Sequence, residues 1–231
     1  MGFYLQAASV RGPGHIVQNL SNQDAVLTRR WRTGWLAVVS DGMGSRPHSD
    51  IGSRSVCKAV LMAVKALPFD VPDRELIHCI YKNWLALLGS IAANDAVATS
   101  LIAWGKNTGE TRLLQLGDGA VLYQANDGRG LLSGRSENTF GNETTGLGVS
   151  RKYSDWVCRT IWLTKPKQGL ALMTDGISDD LEQMDTFVPE VIMKMRHMGR
   201  RYGKQWITNE LESWPTPSHS DDKTIALIYR M

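Results

Sequence analysis

Short apolar runs that run straight into Gly or Asp recur along this 231-residue chain, and they limit its possible folds more than any other feature. They are WLAVVS (35–40), ATSLIAW (98–104), TRLLQL (111–116), AVLYQ (120–124), VCRTIWL (157–163), GLALMT (169–174) and TIALIY (224–229). Five to seven β-prone residues bounded by turn formers read as strands. Between the first two runs lie two helical patterns with no strand separating them. The first is expected from Ser49, as its cap, to about Leu67, with Ile51, Val56, Val60, Leu61 and Val64 on one side and Pro68 and Pro72 ending it. The second is expected from Asp73 to near Asn94, with Glu75 in its first turn and Leu76, Ile77, Ile80, Trp84, Leu87, Leu88 and Ile91 at three- and four-residue spacing. Residues 185–214 also read as mostly helical. Consecutive helices followed by hairpin-like strands do not alternate as βαβ, so an α+β fold with mostly antiparallel sheets is expected rather than a doubly wound one. With no repeat, low-complexity tract or long linker, residues 1–231 read as one domain.

Composition excludes several function classes. The chain is 42% hydrophobic, enough to bury a core, and its 26 Lys+Arg against 23 Asp+Glu leave a net charge of only +3, too small by itself to argue for nucleic acid, which is not expected as a partner. Cys57, Cys79 and Cys158 are odd in number and far apart, which fits neither a disulfide framework nor a zinc site. No stretch approaches the roughly 18 apolar residues of a membrane span, and the N-terminus lacks the pattern of a signal peptide, so a cytoplasmic protein is expected. The run MKMRHMGRRYGKQW (193–206) holds five Lys/Arg and reads as a solvated helix face that could meet acidic phosphopeptides.

The acidic residues carry the chemistry. In VVSDGMG (38–44), Asp41 closes an apolar strand, where an unpaired carboxylate is costly. LMTDGISDD (172–180), LGDG (116–119), SDDKT (220–224) and NQDAV (22–26) place further Asp at strand ends. One Asp-Gly is an ordinary turn dipeptide; Asp at the ends of apolar strands in five separated places is not explained by turns. Converging carboxylates repel one another unless cations are present, and hard oxygen ligands suit Mg²⁺ or Mn²⁺.

The order NQDA, SDGMG, helix pair, GDG, TDGISD, DDKT, terminal strand resembles the metal-dependent protein phosphatases, the type 2C serine/threonine family, over almost the whole chain. The resemblance implies a central β-sandwich of two mostly antiparallel sheets flanked by helix pairs, with a two-metal centre at one end. It implies that Asp41 bridges both ions, the Gly42 carbonyl ligates one, Asp175 and Asp221 complete the other, Asp24 holds a metal-bound water, and Asp118 matches the residue that binds a looser third ion. Aligning on Thr224 puts Asp222 in the place of the usual Asn, and Asp179 falls to a supporting or helix-capping position. A hydroxide bridging two Mn²⁺ or Mg²⁺ ions would then attack phosphoserine or phosphothreonine in line, with no Cys or Ser nucleophile. Asp41 and Asp175 are thus catalytic as well as metal-binding.

The departures from the family pattern concern the groups around the metals. Gln23 stands for the usual Glu, Ser45 for the second Gly of the DGMGG pattern, and Met43 stands where eukaryotic members often have His. The arginine that usually grips phosphate is replaced by SVRGPGHIVQNLSNQDA, which offers Arg11 or His15; a Gly-Pro-x-His segment before Gln-Asp is expected in a small bacterial branch, with His15 facing the phosphate or leaving group. The NETTGLG loop (142–148) is a candidate wall of the substrate cleft. A phosphatase acting on phosphorylated proteins, the substrates of a Ser/Thr kinase, is the leading expectation. A catalytically weak phosphoprotein-binding module and a small-molecule phosphohydrolase remain as alternatives.

Overall fold

Both faces of the strand Gly34–Ser40 are covered, which is why its seven residues are all buried and read as a continuous apolar run rather than an alternating one. The computed structural model describes residues 2–134, 145–215 and 220–231. In it the strands form two five-stranded sheets, antiparallel throughout. One has the order β1 (Phe3–Val10), β10 (Lys223–Arg230), β9 (Gly169–Met173), β6 (Ala120–Ala125), β7 (Gly128–Leu132). The other has the order β2 (Ala25–Arg30), β3 (Gly34–Ser40), β4 (Ser100–Lys106), β5 (Glu110–Leu116), β8 (Val157–Trp162). Short helices α1 (Pro13–Val17) and α4 (Asp175–Ser178) lie in connections, and α2 (Ser49–Ala66), α3 (Asp73–Leu88) and α5 (Met184–Glu212) form the outer layers.

The sandwich is filled from both sheets. Trp35, Ala37 and Val39 of β3 meet Leu170 and Leu172 of β9 and Ala226 and Ile228 of β10. The intervening residues Leu36 and Val38 point the other way, into a core shared with Val56, Val60, Leu76, Ile80 and Trp84 of α2 and α3. Ala171, Met173, Ile225 and Leu227 likewise face Val188, Ile192, Met195, Ile207 and Leu211 of α5. The period-two alternation of a strand thus feeds two layers at once.

The outer helix layers are pairs, as expected. α2 and α3 make one. The second pair lies within α5, because Lys194 sits 3.7 Å from Glu210 and 4.4 Å from the Trp206 ring, whereas a straight helix would hold residues 194 and 210 about 24 Å apart. α5 therefore folds back on itself.

Two local expectations change. The second helix stops at Leu88 rather than near Asn94, because Gly89 takes a left-handed φ of 60° and only a 3₁₀ turn, Ala93–Asp95, follows. Ser49 is the first residue of α2 and not its cap; His48 holds that place, with no side-chain cap bond. Among the described residues no helix is long and apolar enough to cross a membrane.

Candidate metal centre

The antiparallel register brings the acidic strand ends together. β3 runs into Asp41 where β4 begins: Thr99 donates its backbone N–H to the Asp41 carbonyl at 2.8 Å, and its hydroxyl oxygen accepts from Asp41 N–H at 2.9 Å. β2 starts beside the end of β3, pairing Ala25 with Ser40, which sets Asp24 next to Asp41. β9 ends beside the start of β10, where Thr174 and Thr224 exchange bonds of 3.1 Å, so Asp175 and Asp221 flank the same point. Asp118 lies in the turn between β5 and β6, and Ala120 just after it pairs with Met173.

Asp41, Asp118 and Asp175 each offer a carboxylate oxygen within 4.8 Å of the others. Burial raises the Asp41 carboxyl well above its ordinary 3.8, and the neighbouring charges of Asp24, Asp175, Asp221 and Asp118 raise it further. Asp24 is buried, and burial pushes its carboxyl up to about 8 against the hydrogen bonds from Thr224, Asp41 and Thr174. The Thr174 hydroxyl donates to Asp24 Oδ2 at 2.9 Å. Five carboxyl groups gathered in this way are a donor set for a hard divalent cation.

His15 lies in α1 rather than in an open loop, and it belongs to a second cluster beside the first. Its Nδ1 sits 2.9 Å from Asp222 Oδ2 and its Nε2 3.9 Å from Asp221 Oδ1. Asp222 has a side chain only 1% exposed. It accepts the backbone N–H of Gly12 at 2.7 Å and of Gln23 at 2.6 Å, so one carboxylate ties both ends of the 12–23 segment to the start of β10. Lys223 is buried behind it, with Nζ donating to the Asp221 carbonyl at 2.9 Å; burial lowers its ammonium, while Asp180, Asp221, Asp222 and Asp24 oppose that. Arg11, the other candidate for the missing arginine, donates instead to the Leu20 carbonyl at 3.1 Å on the exposed side.

Two glycines are required by close approach. A Cβ on Gly42 would meet the Ser49 carbonyl at 2.4 Å, where the first turn of α2 passes. A Cβ on Gly12 would stand 2.3 Å from the Asp221 carbonyl carbon and oxygen. Gly12→Ala is therefore expected to push the α1 segment off Asp221 and Asp222. It should lower turnover of a phosphorylated substrate about 10- to 100-fold, the cost of an ångström-scale misplacement; steady-state kinetics with a melting curve as folding control measures it.

Of the remaining expectations, Asp179 is exposed and caps the end of α4, with its backbone N–H on the Asp175 carbonyl. Ser45 is exposed. Of the NETTGLG loop, residues 142–144 lie outside the described residues, but the Thr145 carbonyl packs against Gly117, next to Asp118. The anchoring by Asp222 and the support from Thr99 and Thr174 were not foreseen. The signal available was Thr preceding Asp-Gly in TDG, and an Asp in the usual Asn place of DDKT.

An antiparallel sandwich between helix pairs, with a carboxylate cluster at matched strand ends, defines the class. Residues 11–212 match the sequence model of the family described as Protein phosphatase 2C, and the chain belongs to that family. No curated protein matches the chain. Among solved structures it is similar to the photosystem II phosphatase PBCP, at 15% identity and TM-score 0.73, covering 100% of this chain and 99% of that one. It is similar to the serine/threonine phosphatase Stp1 from Staphylococcus aureus, at 18% identity and TM-score 0.69, covering 100% and 96%. It is also similar to RsbX in complex with magnesium, at 14% identity and TM-score 0.65, covering 99% and 95%. The chain spans 62% of the matching SpoIIE chain from Bacillus subtilis, which holds a phosphatase domain and a regulatory fragment.

Proposed function

We propose that residues 1–231 act as one cytoplasmic phosphatase domain that uses Mn²⁺ or Mg²⁺ to hydrolyse phosphoserine and phosphothreonine in proteins, opposing a Ser/Thr kinase. The observation that carries this reading is the convergence of Asp24, Asp41, Asp118, Asp175 and Asp221 at one end of the sandwich, with the Asp41 carboxyl raised first by burial and then by the charges of the other four. The donors are all hard oxygens, which fits a divalent cation of this type. Asp41, the Gly42 carbonyl, Asp175 and Asp221 would hold two ions, Asp24 would support one of them, and Asp118 would hold a third more loosely. When bound, the ions supply Lewis-acid activation of water and neutralise the phosphoryl charge.

The chain's own residues supply orientation. Thr174 holds the Asp24 carboxylate in place, and His15 lies beside Asp222 and Asp221. His15 is 15% exposed with Nε2 3.9 Å from Asp221 Oδ1, which supports its meeting the phosphate or leaving-group oxygen in place of the usual arginine. Arg11 is engaged elsewhere.

The test is hydrolysis of phosphoserine and phosphothreonine peptides and of an aryl phosphate, with Mn²⁺ and with EDTA. Manganese-dependent peptide turnover, abolished by EDTA, is expected. Turnover indifferent to EDTA would sink the mechanism. Manganese binding without turnover would favour a phosphoprotein-binding module, and turnover confined to metabolites would favour a small-molecule phosphohydrolase.

A further inference from the structure

A second cavity, of about 470 Å³, opens between α5 and the paired strands β6 and β7. It lies at the other end of the sheet from the acidic centre. Gln124, which lines it, pairs with Gly169, while Asp118 and Asp175 flank the pair Ala120 and Met173. Four residues along β6 separate these points by about 13 Å.

Three cationic side chains reach this cavity from three separate segments: Arg129 of β7, Lys167 of the β8–β9 connection and Arg196 of α5. No Asp or Glu lines it, and neither Lys167 nor Arg196 has a carboxylate partner among the described residues. One of the three side chains is held by the backbone. Pro189 has no N–H to give the Asp185 carbonyl one helical turn earlier; Arg129 Nη1 donates to that carbonyl at 3.3 Å instead. Lys167 takes a left-handed φ of 70° and its N–H bonds the Arg230 carbonyl at 3.2 Å. His197 is fixed by a 2.7 Å contact of Nδ1 with the Met193 carbonyl.

The rest of the lining is apolar, from Pro189, Ile192 and Met193, and Met193 is 57% exposed. Gln124 Oε1 is buried with no hydrogen-bond partner among the described residues. A buried acceptor left open calls for a donor, from water or from a ligand. A solvated helix face explains Arg196 alone. It does not explain cations converging from β7 and a strained turn onto an apolar surface with an unmatched amide.

We propose that this cavity binds a small organic phosphate of nucleotide size. Guanidinium and ammonium groups suit phosphate oxygens, Met193 and Ile192 suit a flat apolar ring, and Gln124 suits an N–H on that ring. The volume falls within the roughly 300–1,000 Å³ of small-molecule sites. A peptide groove is the competing use of the same charge.

Calorimetric titration of the full chain with ATP, AMP and inorganic phosphate, in EDTA so that no metal at the acidic centre holds phosphate, tests the proposal. One-site binding of a nucleotide is expected, at least about tenfold tighter than inorganic phosphate. The double variant Lys167→Asn/Arg196→Gln should weaken it by about tenfold or more, with an unchanged melting curve, because Asn tolerates the left-handed turn and both side chains lie near the surface. Gln124→Leu should weaken nucleotide and leave inorganic phosphate unaffected. Absence of nucleotide binding, equal binding by the double variant, no preference over inorganic phosphate, or tighter binding of an acidic Glu/Leu peptide would each overturn it.

Discussion

Asp41→Asn should reduce manganese-dependent phosphopeptide turnover by more than about 100-fold, beyond the range for groups that only orient ligands, and should also raise the melting temperature of the metal-free protein. The two effects have one cause. Asp41 is the carboxyl whose ionisation is opposed by burial and by Asp24, Asp175, Asp221 and Asp118 together. Without cations its charge costs folding free energy at neutral pH, and Asn, of the same shape but neutral, removes that cost. With cations the same charge would hold them. Asp175→Asn should share the loss of turnover. Kinetics with Mn²⁺ and thermal unfolding in EDTA measure the pair. Undiminished turnover in either variant would falsify the mechanism, and a lower metal-free melting temperature for Asp41→Asn would contradict the electrostatic account of the cluster.

The sandwich was legible because its strands are buried on both faces, which writes them as unbroken apolar runs. β3 and β9 are the clearest cases, every residue of both being buried. β1 and β2 were harder to see. FYLQAASV is buried at only three of its eight positions, and AVLTRR carries its polar half into solvent. Neither shows a clean apolar run, and their strand character comes from pairing with β10 and β3. β7, GRGLL, carries two glycines and gains its place from pairing with β6. The fold-back of α5 was likewise hidden, since a helical pattern from 185 onward carries no record of where the helix reverses.

The acidic centre was legible for a different reason. Each carboxylate sits directly against the end of a strand, so a register that aligns the strand ends must also gather the carboxylates. Asp222 escaped this logic. Its importance lies in backbone N–H groups of Gly12 and Gln23, about 200 residues away in the chain, and backbone donors leave no mark on sequence. Only Gly12 hints at it, because a side chain there would collide with Asp221.

In EDTA the protein is expected to lose stability as pH rises from about 5 to 8, the reverse of a protein whose carboxylates are salt-bridged. Asp24 is raised from 3.8 to about 8, first by burial, and Asp41 is raised in the same direction. Between those limits the folded state keeps a proton that the unfolded chain has released. Stability therefore falls through the window and is lowest above the folded value. One such proton is worth about 1.4 kcal/mol per pH unit, or roughly 3–5 °C of melting temperature per unit for a chain of this size. Cations bind the deprotonated carboxylates, so manganese affinity should rise over the same window as protons are displaced. Melting curves at pH 5, 6, 7 and 8 should then diverge, falling in EDTA and holding level or rising with excess Mn²⁺. A metal-free melting temperature that stays flat or climbs over this range would mean that Asp24 and Asp41 are already ionised in the folded chain, and that their charges are balanced by something other than a cation.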